Sequence, residues 1–111
     1  MFNKHTETRV ETLICGELRT AKEQHGEKFN SLHEAYAVAL EELEEASEKV
    51  DMAKYRYEDV WNRIKWNEEK KRIVESLNGT RNYTAEAIKE LAHFAAMIDK
   101  TLETLEKEKE K

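Results

Sequence analysis

The stretch Ser31–Val50, SLHEAYAVALEELEEASEKV, decides the fold. Ser31 followed three residues later by Glu34 is a capping-box pair that opens a helix. No Pro or Gly interrupts the run of good helix formers behind it. Projected at about 100° per residue, Leu32, Tyr36, Ala39, Leu43, Ala46 and Val50 fall on one seam, with spacings that alternate four and three. Glu34, Glu41, Glu45 and Glu48 fall almost opposite, and Glu42 lies on the flank. A helix so divided needs a partner along its seam. Its acidic stripe either faces water or holds cations.

The rest of the composition agrees with that helix. The 111 residues suit one domain, 1–111, with a modest core. Apolar and charged residues each make up 39%, with no Pro and three Gly. That mix implies an all-α fold of long amphipathic helices whose outer faces are solvated, working as an oligomer. A net charge of −5 with no basic stripe argues against nucleic acid as the main partner, because there is little to release counterions. It suits divalent cations, or simply solubility. Cys15 is the one cysteine, so an internal disulfide is excluded and a thiolate zinc site is disfavoured. No signal-peptide pattern follows Met1, and no run approaches about 18 apolar residues. The expected setting is the cytoplasm, away from any membrane.

Taken in order, residues 5–24 form a first helix with Val10, Leu13, Ile14, Leu18 and Ala21 on one face. Gly26 is its expected terminator, and Phe29 in the following loop is expected to fold back onto the core. The central seam continues through Ala53, Tyr57, Val60 and Ile64 before polar residues take over around Asn67. Read literally, one helix runs from Leu32 to Leu77, on the order of 65–70 Å. We expect a break between Val50 and Tyr55, or a long helix that serves an oligomer interface. Asn78-Gly79 reads as a turn reaching Tyr83, with Thr84 capping a last helix. The bundle is therefore expected to have three to four helices with a long central one. The last helix carries Ile88, Leu91, Ala92, Ala95, Ile98 and Leu102 on one face, with Phe94, Ala96 and Met97 widening it. Glu86, Glu90 and His93 stack on an otherwise apolar flank and need partners there. From Glu103 the tail, 104–111, reads as a solvated helix end.

No Gly-rich phosphate loop, HExxH or recognisable nucleophile context is present, so any catalysis must come from carboxylates. Glu41-Glu42-Leu43-Glu44-Glu45 fits EExxE. Glu41 and Glu45 point the same way one turn apart, and Glu42 projects about 100° round. Acidic groups on two antiparallel helices could hold Mg²⁺ through oxygen ligands. The bland alternative is a wet, Glu-rich face.

HEAYAVALEELEEA, preceded by HGEKFNS and followed by ELAHFAAMIDK, resembles the MazG-like all-α nucleoside triphosphate pyrophosphohydrolases, in particular their short phage and bacterial members. The resemblance covers roughly residues 18–50 and 84–100. It implies a helical bundle in which EExxE on one helix and ExxD on a later one bind Mg²⁺, or Mn²⁺. Water then splits a nucleotide into monophosphate and pyrophosphate. By position, Glu41, Glu42 and Glu45 form the first set, both catalytic and metal-binding. Glu90 opens the second motif, and His93 stands where that motif has Asp. His93 removes a negative charge and favours softer ions than Mg²⁺. A lone His on such a helix is also commonly a hydrogen-bonded core residue. Lys28 and Trp61 are candidate substrate contacts.

Three functions compete. The first is a metal-dependent nucleotide pyrophosphohydrolase acting as a homodimer or homotetramer. The second is a catalytically lapsed relative that holds a nucleotide or metal, suggested by His93. The third is a purely structural or interaction bundle, in which the glutamates only repel one another. The aromatic segment Tyr55–Trp66 is the expected subunit interface, since aromatics at helical spacing usually serve core or subunit contacts.

Overall fold

The structure is a computed structural model and describes residues 1–109. It contains three helices, α1 (Lys4–His25), α2 (Leu32–Lys65) and α3 (Lys70–Lys109). Among the described residues there is no strand, and no helix is long and apolar enough to cross a membrane. The all-α fold stands, with three helices among the described residues.

Local chemistry sets most helix ends. Asn3 caps α1 by accepting the Thr6 N–H at 2.8 Å. Gly26 terminates it at φ 96°, a left-handed value that glycine adopts at little cost, with its N–H on the Lys22 carbonyl. At the start of α2 the Ser31 hydroxyl accepts the Glu34 N–H at 3.1 Å. The Glu34 carboxylate returns to the N–H of Asn30, at 3.1 Å, in place of that of Ser31. The capping box is thus present with its return bond moved one residue back.

Two boundaries differ from the sequence reading. α2 runs unbroken through Val50–Tyr55 and stops at Lys65. Asn67 at φ 51° turns the chain, Glu68 N–H bonds the Arg63 carbonyl, and Asn67 N–H bonds the Ile64 carbonyl. This is a Schellman stop with Asn as the left-handed residue, reinforced by an Arg63–Glu68 ion pair at 3.3 Å. The second correction concerns Asn78–Tyr83, which is not a turn. α3 passes straight through it, and Thr84 is no cap, because its hydroxyl bonds the Thr80 carbonyl one turn back. Gly79 is there for space. A Cβ at this position would lie 2.8 Å from Cζ of Arg56, so the glycine admits the guanidinium against the helix.

The described residues form two compact units, 1–43 with 91–109, and 44–90. In the first, Ala21, Phe29, Ala35, Ala39, Ala96 and Met97 make the core, and Ile14, Leu18, Val38 and Phe94 pack on it. Phe29 does fold back: its N–H donates to the buried Thr104 hydroxyl, which in turn donates to the Lys100 carbonyl. The tail therefore starts differently from the sequence reading. Thr104 is buried, and Glu103 pairs with Lys22, whose pKa that carboxylate raises. Residues 110–111 of the tail lie outside the described residues.

In the second unit Asp59 accepts from Ser76 at 2.8 Å and from Arg63 at 3.0 Å. The Arg63 guanidinium first, and the Ser76 hydroxyl second, hold the Asp59 carboxyl below the usual carboxylate range. Lys49 pairs with Glu86 at 3.3 Å.

The burial of α2 also revises the expected seam. Ala35, Ala39, Ala46 and Val60 are buried, whereas Leu32, Tyr36, Leu43, Val50, Tyr57 and Ile64 are exposed. Alanines let helix backbones approach closely, so the helix is rolled toward them. That roll brings Glu42 and Glu45 onto the partly buried side and leaves Glu41 and Glu44 exposed.

Candidate functional site

The first unit holds a cavity of about 440 Å³, within the size range of small-molecule sites. Helix α1 contributes Glu17, Thr20 and Gln24, and the loop after it contributes Phe29 and Asn30. Glu34, Val38 and Glu42 come from successive turns of α2, and His93, Met97 and Lys100 from successive turns of α3. The lining thus includes three carboxylates, the two imidazoles of His25 and His93, and one ammonium, beside the apolar Ala21, Val38 and Met97.

Glu42 and His93 meet on the wall of this cavity. His93 Nδ1 lies 3.4 Å from Glu42 Oε2, and the Glu42 side chain is 17% exposed. A carboxylate and an imidazole at this separation can share a proton or an ion. Glu90 stands one turn before His93 on the same face of α3, and Glu45 follows Glu42 by one turn on α2. Both are half-buried. Glu41 is exposed. Of the EExxE residues, Glu42 is the one lining the cavity, although the sequence projection had placed it only on the flank.

The candidate substrate contacts lie elsewhere. Lys28 is exposed and is not among the lining residues. Trp61 is 59% exposed in the second unit, on a shallow groove with Tyr57 and Ile64. The cation that does reach the cavity is Lys100, which the sequence reading missed. A signal existed, because Glu90, His93, Met97 and Lys100 follow one another at three- and four-residue steps along a single helix face.

Comparison with protein-family models, with curated proteins and with solved structures returns no match.

Proposed function

We propose that this protein is a divalent-metal-dependent nucleoside triphosphate pyrophosphohydrolase, with Glu42 and His93 at the centre of its metal set. The pairing of Glu42 with His93 at 3.4 Å on the wall of the cavity carries the reading. Two ligands of one octahedral ion bound at 2.0–2.1 Å stand roughly 3 Å apart, so this pair is close to ligand spacing. Glu90 stands one turn before His93 on the same helix. Glu41, which faces solvent, falls outside the set. An imidazole among carboxylates favours Mn²⁺ over Mg²⁺.

A bound divalent ion would lower the pKa of water and offset phosphate charge. The chain's own part is to hold the ligand atoms in place, orient the attacking water through one of the glutamates, and exclude bulk solvent with Val38 and Met97. The water oxygen attacks the α-phosphorus, and the bond to the bridging oxygen breaks. Monophosphate and pyrophosphate leave, with the water proton released. In this reading the activity is cytoplasmic.

The protein works as a homo-oligomer in this reading, with Tyr57, Trp61 and Ile64 in the contact between copies. The exposure of all three supports it.

The test is pyrophosphate release from each nucleoside and deoxynucleoside triphosphate with Mg²⁺ or Mn²⁺. Release by the parent, strongest with Mn²⁺ and abolished in Glu42→Gln, is expected. No release above that variant sinks the reading. Binding without release would select the second reading, a lapsed relative, which His93 in the place of the motif's Asp specifically favours.

A further inference from the structure

Lys100 is the most unusual residue of the first unit. It is only 2% exposed, yet lysines are almost never fully buried unless paired. Among the described residues its ammonium makes no hydrogen bond or ion pair. Its one neighbour of note is the Phe29 ring, with Nζ 4.4 Å from the centroid. A ring face offsets only part of the cost of desolvating an ammonium.

The surroundings fix this arrangement firmly. Phe29 is anchored through its N–H to Thr104, and Thr104 is bonded to the carbonyl of Lys100 itself. The aromatic face, the hydroxyl and the lysine therefore form one buried unit. Lys100 lines the same cavity as Glu42 and His93, two helical turns beyond His93 on α3. The carboxylates lining that cavity, Glu17, Glu34 and Glu42, leave it electron-rich. Lys100 is then the only Lys or Arg lining it. An apolar residue would fill this place at lower cost, so the ammonium is held for something that enters.

We propose that Lys100 is the anion-holding group of this cavity and takes a phosphate of the ligand while the Glu42–His93 end takes the metal. The proposal rests on the nucleotide reading for the identity of that ligand. Seven residues of helix separate His93 from Lys100, about 10 Å along the axis. A lysine side chain points back toward the helix N-terminus, which shortens the gap to the span of a polyphosphate whose other end is on a metal.

The test uses α,β-imido analogues of the deoxynucleoside triphosphates, and inorganic tripolyphosphate, each titrated by calorimetry in saturating Mn²⁺. The parent should bind at least one analogue, and K100M should bind it at least tenfold more weakly with its Mn²⁺ affinity unchanged. K100M should also melt higher than the parent, since it removes a buried charge. Equal analogue affinity in parent and K100M overturns the inference and leaves the nucleotide reading intact. Lys100-dependent binding of tripolyphosphate alone keeps the phosphate site and overturns the nucleotide reading. No binding of any probe to the parent overturns both. Should K100M fail to fold, ¹³C-lysine-labelled parent with Mg²⁺ answers the question. The Lys100 ε resonance, assigned by its loss in K100R, must shift saturably with the analogue, and an unmoved resonance overturns the inference.

Discussion

Single side chains carry the chemistry in two places. In the second unit, Asp59 accepts from Arg63 and from Ser76, and its carboxyl is held below the ordinary range. A carboxyl depressed in the folded state adds stability above its unfolded pKa, about 3.9. That contribution is lost as pH falls through the lower folded value. Asp59→Asn should therefore lower the melting temperature at pH 7. The gap between variant and parent should close as the pH is taken down from about 4, and thermal melts across that range check it. In the first unit, His93 sits where the resembled motif has Asp. His93→Asp should raise Mg²⁺ affinity relative to Mn²⁺, because an anionic oxygen replaces a neutral imidazole. Isothermal titration with both ions reads this directly, and an unchanged ratio would remove His93 from the metal set.

Helices tell how far the amino-acid sequence could be read. The caps of α1 and α2 were legible because Gly26, Ser31 and Glu34 act on neighbours in the chain. Asn67 was noticed only as the start of a polar stretch, since a left-handed Asn looks like any other until its carbonyl partners are known. Asn78-Gly79 misled for a tertiary reason: the glycine makes room for Arg56, nineteen residues away from the Glu75 carbonyl that the guanidinium reaches. The roll of α2 toward its alanines hid Glu42, because projection weights large apolar side chains and backbone approach favours small ones. EExxE and His93 were legible as candidates. Lys100 shared the helix face of His93 in the sequence, but its burial was not legible, because it depends on Phe29 arriving from a distant part of the chain. Two expectations follow at this level. Gly16 lies within α1 with nothing within 4 Å of an added Cβ. Gly16→Ala should then stabilise by about 0.8–1 kcal/mol, seen as a rise of several degrees in thermal melts. Asn67→Val should cost about 1–2 kcal/mol by opposing the left-handed turn, measured by urea unfolding.

In the molecule as a whole, Tyr57, Trp61 and Ile64 are among the large side chains left exposed, and aromatic residues are enriched where subunits meet. Light scattering at tens of micromolar should accordingly give at least a dimer. Trp61→Ala should weaken it by about 2 kcal/mol or more if the ring is central to the contact, and a monomeric parent would overturn the assembly proposal. The central claim is the metal set at Glu42 and His93, and its most direct measurement is Mn²⁺ titration followed by electron paramagnetic resonance on parent and Glu42→Gln. One site per chain in the parent, weakened at least about tenfold in the variant with its helix content unchanged, is the predicted result. A parent that holds no Mn²⁺, or a variant that holds it as tightly as the parent, would contradict the account.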